Sequence, residues 1–291
     1  MVRRPASSLS AVRTRVVQGL LQSCHPQPVA AVTAGVAAIA YAAGRGLTGT
    51  VLAGLAVLTG QLSIGWSNDY LDRRVDEAAG RRDKPLALGS VPPWLVAAAA
   101  AAVAVCCVPL SLASGWRAGL AQLVAVASGW IYNLGVKRTP WSPIPFIPGF
   151  GLFPAFVTLG LPGHPWPAWW ALTAGALLGV GAHFANVLPD LPADLATGVL
   201  GLPQRLGGRI SRFLAGAFLG AATAVLAVAP GGFDALAAVG LAASAAVIAA
   251  GLAGAIAGPR HQMGRALTMI AVIGAGLLDV VLLVARAGQM S

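Results

Sequence analysis

Seven of the nine acidic residues in this 291-residue sequence fall in two short segments. The first reads Asn68-Asp69-Tyr70-Leu71-Asp72-Arg73-Arg74-Val75-Asp76, with Glu77 and Asp83 close behind. On a helix, steps of three, four and seven residues return to one face, so Asp69, Asp72 and Asp76 project together. They share an arc of about 60° at 3.6 residues per turn. Three adjacent carboxylates repel one another and need a cation, all the more so near a membrane. Hard oxygen donors on an open face suit Mg2+, which keeps several waters and takes phosphate oxygens as further ligands.

The second segment runs His183-Phe184-Ala185-Asn186-Val187-Leu188-Pro189-Asp190-Leu191-Pro192-Ala193-Asp194. His183, Asn186, Asp190 and Asp194 would share one face of a helix. Pro192 would clash with the carbonyl of Leu188 in a continuous helix, so a kink or a restart near Asp190 is expected. Bases accompany both segments. Arg81, Arg82 and Lys84 follow the first, Lys137 and Arg138 lie between the two, and Arg205 follows the second. Acids that hold a metal, ringed by Arg and Lys, form a site for a polyanion such as a diphosphate.

The elements that must position these groups are apolar. The chain is 57% hydrophobic and only 10% charged, against about 25% charged in soluble domains. Its apolar residues fall in long runs, and about 20 such residues span a hydrocarbon core. Nine spans are predicted, near 28–44, 50–72, 93–113, 117–133, 144–162, 168–188, 209–229, 235–257 and 264–285. With the amino end inside, 16 of the 19 basic residues fall on cytoplasmic segments and three, Arg45, Arg117 and Arg286, fall outside. That asymmetry is the positive-inside pattern. The expected fold is all-α: a single polytopic membrane domain over 1–291, with nine transmembrane helices around a central cavity. The amino end, including a basic arm over 1–24, is cytoplasmic and the carboxyl end outside. A net charge of +10 then reads as orientation signal and contact with anionic lipid, with no nucleic-acid partner. Composition rich in Ala, Gly and Arg points to a bacterial cell membrane.

Isolated residues are read structurally. Cys24, Cys106 and Cys107 are small apolar fillers. His183 is expected to be a hydrogen-bonded packing residue, His25 to sit at the interface of the first span, and His164 and His261 to be solvated. Asp234 resembles an N-cap. Asp279 lies inside span nine and should pair with another helix or with water.

At this point the residues resemble the UbiA superfamily of intramembrane prenyltransferases. The family's first motif, N-D-x-x-D-x-x-x-D followed by an Arg-rich stretch and a Pro, is met by Asn68, Asp69, Asp72, Asp76, Arg81 and Lys84-Pro85. Its second, D-x-x-x-D followed by Gly, is met by Asp190, Asp194 and Gly198. The basic-aromatic segment between them is similar to Tyr132-Asn133-Leu134-Gly135-Val136-Lys137-Arg138. The chain departs from the family at Leu188-Pro189, where many members carry Lys or Tyr before the second motif.

The resemblance implies two Mg2+ ions, one held by Asn68, Asp69, Asp72 and Asp76 and the other by Asp190 and Asp194, both bridging the diphosphate of a prenyl diphosphate. Arg81, Lys84, Lys137, Arg138 and Arg205 are the implied phosphate partners. Trp66, Tyr70, Tyr132 and Phe184 could face an allylic cation, with His183 and Asn186 beside them in the substrate pocket. The implied reaction moves an isoprenoid group to an aromatic or lipid-soluble acceptor. The alternative is a terpene cyclase using the same site without an acceptor. A transporter is disfavoured, because transporter sites lie near mid-membrane.

Overall fold

A computed structural model describes residues 7–257 and 262–291. Arg3, Arg4, Arg260 and His261 lie outside the described residues. All regular structure among the described residues is helical.

A first helix, α1 (Ser7–Ser23), meets α2 (Pro26–Ala42) at a sharp joint. Pro26 at the first helical position gives α2 a preset start. Next comes α3 (Gly46–Ala78), a 33-residue helix that carries the whole first acidic motif past the end of its predicted span. Two more long helices follow, α4 (Pro93–Leu112) and α5 (Trp116–Leu134). A short 3-10 turn, Val136–Arg138, leaves α5.

The predicted fifth span is not continuous. It is two six-residue helices, α6 (Phe146–Gly151) and α7 (Phe153–Thr158). Pro154 at the start of α7 cannot donate a backbone hydrogen bond, which accounts for the break. The chain continues through α8 (Trp169–Val187), α9 (Leu191–Ala196), α10 (Leu202–Val228), α11 (Ala235–Ala257) and α12 (Gln262–Ala285). A left-handed Gly207 interrupts α10.

Among the described residues, four helices, α3, α4, α8 and α10, are long and apolar enough to cross a membrane. Their outward side chains are apolar too. Val51, Val105 and Phe213 are exposed, as suits a lipid-facing surface. The core is built from Ala53, Ala56, Val57, Phe156, Ala171, Ala174, Leu226 and Leu282, drawn from α3, α7, α8, α10 and α12. Close helix approach depends on small residues, as in membrane bundles generally. A Cβ on Gly129 would run into Ile64 of α3, and one on Gly181 into Leu219 of α10.

Two isolated acids serve this scaffold. Asp279 accepts a hydrogen bond from Thr223 of α10 at 2.6 Å, the interhelical partner expected for it. Asp234 caps α11 by accepting from Ala237 N–H at 2.8 Å, and Arg286 holds it with two bonds at 2.7 Å.

Candidate active site

The first acidic motif sits on unbroken helix, so the 3.6-residue period brings Asp69, Asp72 and Asp76 to one side of α3. Asp69 is the most enclosed, at 1% exposure. Its Oδ1 accepts from Lys84 Nζ at 2.7 Å and from His25 Nε2–H at 3.0 Å. Its Oδ2 is buried and has no hydrogen-bond partner. Asp72 accepts from Lys137 Nζ at 2.5 Å, with Arg138 3.6 Å away. Lys137 is itself buried. Burial pulls its ammonium below the usual lysine range, while Asp72 pushes the other way. Asn68 donates to Asn133 Oδ1 at 3.0 Å, and Asn133 in turn donates to Ile64 O and Ser67 Oγ, both at 2.9 Å.

The second motif sits on interrupted helix, as Pro189 and Pro192 demand. α8 ends at Val187 and α9 starts at Leu191, with Asp190 at the junction. Asp190 accepts from Arg81 Nη2 at 3.1 Å. That guanidinium also makes a bidentate pair with Asp83, at 2.9 and 2.7 Å. The pairing holds the Asp83 carboxyl down at about 2. Asp194 accepts from Gln204 Nε2 at 2.8 Å. Burial raises the Asp194 carboxyl above its ordinary value and Asp190 adds to the rise, while the Gln204 bond opposes it.

Arg81 therefore reaches from the segment after α3 to the second acidic segment. Both motifs and the Lys137–Arg138 turn lie at one end of the bundle. Arg45 and Arg286 mark the opposite end, where Arg45 donates to Phe156 O and Ala168 N–H meets Met290 O.

Ring contacts tie some of the expected aromatic residues to the site and leave others outside it. Tyr132, Phe146 and His183 form a cluster with centroids 4.5–5.6 Å apart, and Tyr132 lies within electrostatic reach of Asp72, Asp190 and Asp194. His183 Nε2 and Ser142 Oγ share a hydrogen bond at 3.1 Å, the hydrogen-bonded packing role expected of His183. Phe184 meets this cluster at His183, with centroids 5.7 Å apart, whereas Trp66 and Tyr70 pack elsewhere. Trp66 donates to Leu20 O at 2.8 Å and packs with Cys24, Val91 and Val96, with Tyr70 alongside. Phe184 stacks on Phe218 of α10 at 6.1 Å. Tyr70, one residue past Asp69, turns away from the acidic face, whereas Trp66, three residues before Asp69, lies on the side of α3 that meets the α1–α2 joint.

Arg205 is exposed and donates to Leu200 O at 2.9 Å, and none of its hydrogen bonds reaches an acid. Its neighbour Gln204 holds Asp194 instead. Asn186 is exposed at the end of α8. Sequence reasoning gave no site role to His25, Asn133, Gln204 or Phe146. Asn133 was within reach, since it belongs to the basic-aromatic segment.

The sequence pattern of the UbiA prenyltransferase family matches residues 29–277. The chain belongs to the UbiA prenyltransferase family. A 4-hydroxybenzoate octaprenyltransferase from Ralstonia nicotianae is 29% identical over 137 residues, a stretch covering 45% of this chain and 46% of that protein. The chain thus matches under half the length of this curated relative. Among solved structures, a UbiA homologue from Archaeoglobus fulgidus bound to GPP and Mg2+ superposes with a TM-score of 0.68 at 16% identity, covering 92% of this chain and 99% of that one. An apo UbiA homologue from Aeropyrum pernix K1 gives 0.62 at 20% identity, covering 91% and 98%. A digeranylgeranylglyceryl phosphate synthase gives 0.62 at 14% identity, covering 94% and 99%. These likenesses establish the UbiA fold.

Within that fold the donor set can be tested against a divalent ion. Asp69, Asp72, Asp76, Asp190 and Asp194 supply oxygen donors only, and the buried Asp69 Oδ2 has a lone pair that no hydrogen bond engages. Among the described residues, no three carboxylate, imidazole or thiol groups converge tightly enough to cage an ion alone. The all-oxygen chemistry of the donors is what a hard divalent cation such as Mg2+ takes.

Proposed function

We propose that this UbiA-family chain is a Mg2+-dependent intramembrane prenyltransferase. It moves an isoprenoid group from a prenyl diphosphate to an aromatic or lipid-soluble acceptor and releases diphosphate. In this reading nine helices cross a bacterial cell membrane around a central cavity, the amino end is cytoplasmic, and the acidic end faces the cytosol. One observation carries the proposal. The two acidic segments are joined by the Arg81–Asp190 pair across 109 residues, and Asp69, Asp72 and Asp190 are each held by a base. A charge-matched set of acids and bases is what a metal-bound diphosphate can divide between itself, acids to cation and bases to phosphate.

Asn68, Asp69, Asp72 and Asp76 would hold one Mg2+ and Asp190 and Asp194 a second. When bound, the ions neutralise the charge that gathers on the leaving diphosphate. Lys84, Lys137, Arg138 and Arg81 take the phosphate oxygens as the allylic C–O bond breaks and its electron pair leaves with diphosphate. Tyr132 and Phe146 present ring faces to a developing allylic cation. The apolar helices exclude the water that would quench it. The acceptor then forms the new bond and loses a proton. The relative named for 4-hydroxybenzoate makes that compound the first acceptor to try, and the homologue bound to GPP and Mg2+ supports the donor class.

The test is mass spectrometry of products from purified protein given prenyl diphosphates of increasing length, with and without 4-hydroxybenzoate, with Mg2+ or with chelator. Prenylated acceptor formed only with Mg2+ is expected. A cyclic hydrocarbon formed without acceptor would replace the transferase by a cyclase. Absence of diphosphate release under every condition would reject both.

A further inference from the structure

The joint between α1 and α2 grips the first acidic motif at three successive levels. Trp66 donates to Leu20 O at 2.8 Å. Gly65 lies so close to the Cys24 carbonyl that any Cβ there would collide with it. His25 reaches Asp69 Oδ1 at 3.0 Å. To do so His25 adopts a left-handed backbone, φ 56 and ψ 66, which a residue with a Cβ seldom takes and which recurs at functional sites.

The protonation of this contact follows from its partner. A carboxylate offers only lone pairs, so Nε2 carries the hydrogen and donates. Lys84 Nζ, 3.3 Å from Nε2 and 2.7 Å from the same Oδ1, is then a second donor to one oxygen. Two donors converge on Oδ1 while the buried Oδ2 has none.

We propose that His25 is a positioning residue that keeps Asp69 oriented when Lys84 leaves it for the substrate's diphosphate. The inference rests on the diphosphate-site reading above. Without ligand, Lys84 and His25 share Oδ1. When phosphate draws the ammonium away, a buried carboxylate would otherwise lose its one charged donor and rotate. The imidazole is bound to Oδ1 already, so the carboxylate keeps its orientation and Oδ2 would remain available as a cation ligand. Lys84 is thereby free to serve the phosphate without unseating a metal ligand. In this role His25 acts through Asp69.

The experiment uses the full chain in detergent micelles and a thio-linked, non-cleavable prenyl diphosphate analogue. Thermal stabilisation by the analogue is followed as Mg2+ is titrated, for wild type and for His25→Ala, His25→Gln and His25→Asn. Glutamine carries an N–H near the Nε2 position and asparagine does not reach it. His25→Ala is expected to raise the half-saturating Mg2+ about tenfold or more, and His25→Gln to restore it to within about threefold, the scale of outer-shell effects on metal sites. A purely structural role would lower the unliganded melting temperature and leave the Mg2+ midpoint alone.

Wild type that shows no Mg2+-dependent response to the analogue would reject the functional reading itself. Wild type that responds, with alanine unshifted or with alanine and glutamine shifted equally, would overturn the role of His25 alone. Should the alanine variant not fold, glutamine against asparagine decides: equal midpoints sink the proposal, and a retained midpoint in glutamine only supports it.

Discussion

The two acidic segments carry similar residues on different supports. The first rides on α3, an uninterrupted helix, with Asp69 enclosed and held by groups from two other stretches of chain. The second rides on α9, six residues with none buried, set off by the proline break, and the Asp190 side chain is 49% exposed. Its partner Arg81 divides its bonds between Asp190 and Asp83. One half of the site is built before any ligand arrives. The other is held by bonds a polyanion can exchange. Binding energy is conserved where a site is preorganised and drawn on where it must be ordered, so the halves should respond differently to the same substitution.

The largest effect is expected at the rigid half. Asp69→Asn or Asp72→Asn removes a charge from an enclosed ion pair, and for Asp72 the stranded partner, Lys137, is buried, at a cost of about 3–5 kcal/mol. Turnover should fall by about 10³-fold or more, the scale of losing electrostatic stabilisation of a leaving group. Asp190→Asn should cost less, about 10²-fold by the same reasoning, because Arg81 keeps Asp83 as its partner. Product formation under saturating donor separates the two. Equal losses would erase the distinction between the halves.

A packing change sharpens it next. Gly65→Ala puts a methyl into the Cys24 carbonyl, and overpacking of this kind costs about 1–3 kcal/mol. The α1–α2 joint must shift, and with it His25. Thermal unfolding should show the loss, and activity should fall about tenfold, since misplacement by a fraction of an ångström disturbs a preorganised site. An alanine at Gly208, beside α9, where the nearest foreign atom to a built Cβ is 3.5 Å away, should leave both measurements near wild type.

The same contrast governs what the sequence made legible. Helical periodicity is a local rule, so the shared face of Asp69, Asp72 and Asp76 and the break near Asp190 both followed from spacing and proline chemistry. The partnership of Lys137 with the acids followed from charge. His25 did not, because one histidine beside a Cys and a Pro has no period and meets Asp69 across 44 residues. Gln204 was passed over for its charged neighbour Arg205, although an amide can donate to a carboxylate equally well. Trp66 and Tyr70 stand close to the acids in sequence, yet Trp66 bonds to Leu20 and Tyr70 packs beside it, a partnership with α1 that helical spacing does not report. The fifth span read as one helix because hydropathy ignores the donor lost at Pro154.

The smallest effect belongs to Asp83, and it tests the looser half most directly. Its side chain is 61% exposed, so its pair with Arg81 is screened and worth no more than about 1 kcal/mol. The pairing depresses the carboxyl to about 2, from about 3.9 in an unfolded chain. A depressed acid adds stability above its unfolded value and loses it as pH falls through the folded one. Asp83→Asn should therefore lower the melting temperature slightly and evenly between pH 5 and 8, with the gap closing as pH drops towards about 2, and high salt should shrink it. Catalysis should hold or improve, because Arg81 is then free for Asp190 and for phosphate. A loss of activity comparable to that of Asp190→Asn would mean that Asp83 is part of the site, and that the second segment is as firmly built as the first.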